Sequence, residues 1–338
     1  MDGSGKRPAP ASLGQVSFQN HFCDNRRHAE KSRKPVTLAE ALAALAAPET
    51  VTKRILKALS DLDEIQLSDT LQVWRDLNAD RRADVADQLD TLMTEDIDVE
   101  YSALFRAFLT DEDPRVRLSG ISGLQTDESV ANIDPLVKLM RLDASETVRA
   151  AAALALGSYL ALGELGKISA ARRDQVYSAL TGVWVATREF TDVRRCALES
   201  LGYVSNPAVE VILNEAYESD DEDLRISAVV AMGHSSDNAY QEIVLKELLS
   251  ESEDMRIAAA AACGEIELPE AVGRLSTLID RDDALGARLA AIDALSYIST
   301  TEAQRALERA AASEEEEIAE AAEEALDAWE ALNGDIEL

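Results

Sequence analysis

The sequence predicts an all-α protein wound as an α-α superhelix, and three observations carry that expectation. A segment with arginine at its fourth place recurs at a nearly constant stride. Alanine is abundant, while aromatic residues make up only 4% of the chain. No stretch alternates apolar with polar residues between turn signals, as a half-buried strand would. An alanine-rich, aromatic-poor composition favours closely packed helices, because strands draw on β-branched and aromatic side chains to fill their pleated faces. With 46% hydrophobic residues in 338, there is enough apolar material for a core. The length suits either two globular domains or one elongated array.

Residues 1–35 carry seven basic and three acidic side chains, Pro8, Pro10 and Pro35, and no apolar periodicity. They read as a basic tail without regular structure. A second reading makes them an arm that touches nucleic acid or docks back on the acidic body. His21, Cys23 and His28 could contribute to a zinc site, but three ligands with no second cluster are a weak signal.

Residues 36–96 read as a helical N-terminal cap. Thr37 is placed to cap the first helix, with Glu40 at the reciprocal capping-box position. Further helices are expected near 51–59, 64–77, 79–93 and 99–109, with short acidic connections suited to antiparallel neighbours.

Residues 97–332 hold the repeat. PRVRLSGISGLQ, ETVRAAAALALG, TDVRRCALESLG, EDLRISAVVAMG, EDMRIAAAAACG and LGARLAAIDALS align on Arg117, Arg149, Arg194, Arg225, Arg256 and Arg288, spaced by 32, 45, 31, 31 and 32 residues. EEIAEAAEEALD is a degenerate seventh copy. A second amphipathic helix is expected in each interval: 134–142, 174–187, 207–218, 239–249, 269–279 and 301–311. Proline at 135, 207 and 269 is tolerated in a first helical turn. Gly157, Gly202, Gly233 and Gly264 share the tenth position of the arginine helix, where a left-handed residue would end it. Each unit is then a helix hairpin, and stacked hairpins make an α-solenoid of about seven pairs. Residues 333–338 are left as a C-terminal tail.

The pattern D-x-x-V-R-x-x-A-x-x-A-L-G resembles HEAT repeats, in particular the short HEAT-like class also found in phycobilin lyases. The resemblance covers about 97–332, and the body from Val36 onward is similar to bacterial HEAT-repeat proteins with a helical cap. It implies an armadillo-like scaffold that binds protein and names no partner. The alternative it implies is a phycobilin-lyase-like tetrapyrrole attachment protein or chaperone, supported by fold analogy alone.

On a helical wheel, positions 1, 4, 5, 8 and 9 of each arginine helix cluster on one side. They hold Leu224, Ser227, Ala228, Ala231 and Met232 in one copy, and Met255, Ala258, Ala259, Ala262 and Cys263 in the next. That side is the packed seam, and Cys196 and Cys263 read as buried structural thiols on it. Positions 3 and 6 turn away, toward what the resemblance implies is the concave face. They are Leu118 and Ile121, Arg195 and Leu198, Ile226 and Val229, Ile257 and Ala260, and Leu289 and Ile292. An aliphatic line on an open face suggests a groove for a helix or peptide of a protein partner. The competing reading is that neighbouring repeats cover these side chains, or that the wheel is rotated by one position.

Acids upstream of the arginines (Asp113, Glu146, Asp192, Asp223, Asp254, Asp283) suggest a ladder of charge-assisted bonds between repeats. The long interval around 158–173 reads as a loop or a lengthened helix, with or without a role in specificity. The acidic run 314–317 suits a helix start and a polar terminal repeat.

The net charge of −31 argues against a nucleic-acid partner, since a polyanion is repelled. No apolar run is long enough to span a bilayer. Three scattered cysteines and a polar start suit a reduced, cytoplasmic setting. No catalytic, metal or cofactor motif is present. Of the enzymes built on HEAT repeats, deoxyhypusine hydroxylases hold iron through His-Glu pairs, and His21, His28 and His234 are followed by Phe22, Ala29 and Ser235. A non-catalytic scaffold without a cofactor is the expected function.

Overall fold

In the computed structural model, which describes residues 34–47, 49–235 and 238–333, helix follows helix, with no strand among the described residues. Eighteen α-helices run in order among the described residues: α1 Leu38–Ala46, α2 Lys53–Lys57, α3 Glu64–Asp76, α4 Ala79–Glu95, α5 Ser102–Phe108, α6 Pro114–Ser122, α7 Ile133–Leu142, α8 Glu146–Glu164, α9 Ala170–Trp184, α10 Thr191–Leu201, α11 Pro207–Tyr217, α12 Glu222–His234, α13 Gln241–Glu247, α14 Glu253–Glu265, α15 Val272–Arg281, α16 Leu285–Tyr297, α17 Thr301–Ala311 and α18 Glu316–Asn333. Residues 1–33, with the three candidate zinc ligands, and residues 334–338 lie outside the described residues.

Local sequence sets many of the starts. Thr37 accepts from the Glu40 N–H while the Glu40 carboxylate accepts from Thr37 N–H, closing the expected capping box. Asp63 with Gln66 repeats the device at α3. Asn78, Asp113, Ser169, Asn206, Asp221 and Thr300 cap α4, α6, α9, α11, α12 and α17 through their side chains. Each satisfies backbone donors that have no partner inside the helix. Because Ser169 caps α9, that helix starts four residues before the expected 174. The long interval is a lengthened helix: α8 runs to Glu164, and Gly166, at φ 69°, ends it.

The arginine helices, with α4 before them and α18 after, form one layer in which each packs against the next. The alternate helices form a second layer in which neighbours touch far less. Helices that approach closely on one side and splay on the other curve the stack, so the arginine layer is the inner one.

The shared glycines are where this closeness is decided, and here the sequence expectation is corrected. Gly157, Gly233 and Gly264 lie inside their helices, and Gly202 closes α10 at φ −54°. None is left-handed. They make room for the next inner helix. A Cβ on Gly202 would stand 2.3 Å from the Ala231 carbonyl oxygen, and one on Gly264 2.9 Å from the Ala294 Cα.

The core is continuous along the layers rather than central. One buried cluster runs from Ala41 to Tyr240 and a second from Val229 to Ala325, overlapping at α12. The predicted seam residues Leu224, Ser227, Ala228, Ala231 and Met232, and their counterparts from Met255 to Cys263, are all buried. Burial pushes the Cys263 thiol up to about 12. Cys196 is only half-buried, a correction to the expectation, although burial still raises it to about 11. No helix among the described residues is long and apolar enough to cross a membrane.

Candidate partner-binding groove on the inner helices

The repeated arginines bind the stack together, through acids other than those the sequence suggested. Of the repeated arginines, Arg117 pairs with Asp143 (2.7 Å), Arg149 with Glu189 (2.8 Å), Arg256 with Asp282 (2.6 Å) and Arg288 with Glu315 (2.7 Å), and Arg82 of the preceding α4 pairs with Asp111 (3.0 Å) in the same way. Each acid precedes the next inner helix. Asp111, Asp143 and Asp282 also accept the backbone N–H two residues on. Three of these arginines donate to the carbonyl six residues back, tying the helix to the turn that leads into it. Burial pushes the Asp282 carboxyl up, but its bonds from Arg256 and the Ala284 N–H outweigh that and hold it below the ordinary range.

The ladder is interrupted at Arg194 and Arg225, where the equivalent acid is replaced by Ser219 and Ser250. Arg194 lies over the Trp184 ring at 4.8 Å, and Arg225 donates to the Ser219 carbonyl. Polar bonds on the inner side join these repeats instead. Arg195 Nε donates to Ser227 Oγ (3.0 Å), which donates to Glu199 Oε1 (2.6 Å). His234 Nδ1 is 2.8 Å from Glu265 Oε2, with its ring stacked on Tyr203 at 4.4 Å. Of the acids expected in the ladder, Asp113 pairs with Arg115, and Asp192 and Asp223 stand 3.5 and 3.7 Å from Arg195.

The predicted aliphatic line divides in two. Ile121, Leu198, Val229 and Ile292, at position 6, are 3, 0, 0 and 1% exposed, and Ala260 is buried beside them. These residues are core, because the close approach of successive inner helices covers them. The reading that placed them on an open face is corrected. Leu118, Arg195, Ile226, Ile257 and Leu289, at position 3, are half-buried. The open stripe is one place further round the wheel, at positions 7 and 11. Leu154, 47% exposed, together with Ser122, Ser158, Tyr203 and His234, was missed for that reason. A rotation of 100° per residue is too coarse to place a stripe without knowing which side its neighbour covers.

Around Leu154 the inner helices enclose a groove of about 640 Å³. Leu118, Ala151, Leu154 and Ala155 supply its apolar surface. Asp87 and Asp90 of α4 stand at one rim, and Tyr203 and His234 at another. Its lining thus draws on α4, α6, α8, the turn after α10, and α12. A smaller cavity of about 420 Å³ lies at the α3–α5 end, where Trp74, Arg82 and Phe108 surround Asp111. Among the described residues, no three His, Cys, Asp or Glu side chains are gathered as metal ligands.

Two layers of antiparallel helices, repeating at a fixed stride and tied by an arginine ladder, define an α-α superhelical repeat protein. Residues 242–327 match the family model for HEAT repeats, and that stretch of the chain is built of HEAT repeats. Similar solved structures include Escherichia coli YibA, 16% identical over 83% of this chain and 99% of that one, with a TM-score of 0.40. Human deoxyhypusine hydroxylase is 16% identical over 91% and 99%, with a TM-score of 0.35. Yeast importin-beta (Kap95p) is 14% identical, with a TM-score of 0.38, and is covered over 44% of its length by 93% of this chain. No curated protein matches the sequence.

Proposed function

We propose that this protein is a non-catalytic interaction scaffold whose inner face receives a segment of a partner protein. The observation that carries this reading is the Leu118–Leu154 groove, an apolar strip held open on the inner helices. Leu154, one of the large apolar side chains left exposed, lines this concavity beside the half-buried Leu118, Ala151 and Ala155. Position-3 residues Leu118, Ile226, Ile257 and Leu289 extend the strip, with Arg195 as its polar member. Residues 36–96 serve as the end cap of the 97–332 stack, since α1 to α4 add to the same core cluster and cover a face that a terminal repeat would expose.

A photo-crosslinking residue at Leu154, compared with one at the exposed Val211 on the outer helix α11, tests the assignment. The expected result in native lysate is a discrete protein adduct from position 154 and none from 211. Equal labelling from both positions, or no adduct from 154, would remove the groove from this role.

A further inference from the structure

The geometry points to a cationic amphipathic helix of another protein as the groove's occupant, its apolar face on Leu118 and Leu154 and its basic side chains on Asp87 and Asp90. This inference rests on the reading that the inner face receives a protein segment, and it adds the chemistry of that segment.

The first argument is charge. No carboxylate-to-cation pair involves Asp87 or Asp90 among the described residues, and no lysine or arginine lines the groove. The nearby arginines are committed elsewhere: Arg82 to Asp111, Arg115 to Asp80 and Asp113, and Arg117 to Asp143. Asp90 is half-buried. Burial holds its carboxyl above the ordinary range, a hydrogen bond from Ser122 works against that, and the Asp87 charge adds to the rise. A desolvated carboxylate beside a like charge is relieved by an incoming cation. At the opposite rim His234 already faces Glu265, so an anionic ligand finds no free cation there.

The second argument is hydrogen bonding. The groove is walled by helices, whose backbone groups are paired within themselves. An extended peptide laid on it would find no strand edge, and its own backbone groups would lose water without gaining partners. A helix arrives with those bonds already made. Apolar floor and acidic rim are adjacent, so the helix that fits carries its basic residues beside its apolar stripe.

The test uses the full chain and a labelled helical peptide of about 18 leucine and lysine residues, with leucine at i, i+3, i+4 and i+7 spacing, followed by fluorescence anisotropy. A peptide of the same composition with scrambled order is the control. Leu154→Glu is expected to weaken binding by about tenfold or more. The double variant Asp87→Asn, Asp90→Asn is expected to weaken it and to flatten its salt dependence. The scrambled peptide is expected to bind at least about tenfold more weakly. Circular dichroism checks that both variants keep their helix content, and the asparagine variant decides the matter if Leu154→Glu misfolds.

Binding that ignores both variants, or is equal for the scrambled peptide, is attraction to the acidic surface at large and overturns the inference. A crosslink in the purified protein from position 154 to residues 1–33 would make the chain's own N-terminal segment the occupant and overturn it as well. If the lysate adduct from position 154 persists while the peptide neither binds nor competes with it, the scaffold reading stands and the cationic helix falls.

Discussion

At Gly202 a single hydrogen in place of a side chain sets the distance between α10 and α12. A Cβ there would enter the Ala231 backbone, a contact that no rotamer change relieves. Gly202→Ala is therefore expected to lower stability by roughly 1–3 kcal/mol through overpacking. Gly182, inside α9, would meet nothing within 4 Å. Gly182→Ala is expected to raise stability by about 0.5–1 kcal/mol, the cost of glycine in a helix interior. Urea denaturation of the two variants separates space-making from chain-flexibility roles, and equal shifts would contradict the account. The tenth-position glycines were visible as a repeat in the sequence, but their purpose was not. A glycine that stops a helix and one that admits a neighbour look alike until the neighbour is placed.

Between helices, the arginine ladder is the main polar connection. Arg256 and Asp282 are both mostly buried, at 14 and 8% side-chain exposure. Arg256→Ala strands a buried carboxylate and is expected to cost roughly 3 kcal/mol, with partial recovery in the Arg256→Ala, Asp282→Ala double variant. The pH dependence follows from the sign of the shifts. Asp282 lies below the ordinary range for the reasons given above, and Glu315 does so through its bonds from Arg288. Each contributes stability that is fully present above the unfolded carboxylate value of about 4 and is lost as pH falls through the lower folded value. In Arg256→Ala, Asp282 loses its cation and the burial that raises it is left less opposed, so its share of the acid-induced loss should shrink and the acid limb of the thermal-unfolding profile should become shallower. Asp90 and Asp293, raised by burial, act oppositely: their protonation favours the folded chain as pH falls through their raised values. The ladder itself was expected from the sequence, with other acids as partners. The carboxylates used stand before the next helix begins, a placement fixed by how one hairpin is set on another.

Taken along its length, the stack has no single centre, and its core is two overlapping clusters joined at α12. Stability in such an array is close to a sum of neighbour terms. Leu295→Ala in α16 removes a fully buried side chain and is expected to cost about 2–5 kcal/mol locally. Hydrogen exchange should rise from α14 to α18 while α4 to α8 keep their protection. Uniform loss of protection would show a single cooperative unit instead.

The recurring arginine segment, the caps and the amphipathic periodicity were enough to give helices, hairpins and their stacking, because all three depend on residues near one another in the chain. The open face was different. Ile121 and Leu154 are both aliphatic members of the same helical pattern, and one is core while the other lines a groove. What separates them is the side on which the following helix lies, a contact between residues some thirty positions apart that helical periodicity does not encode.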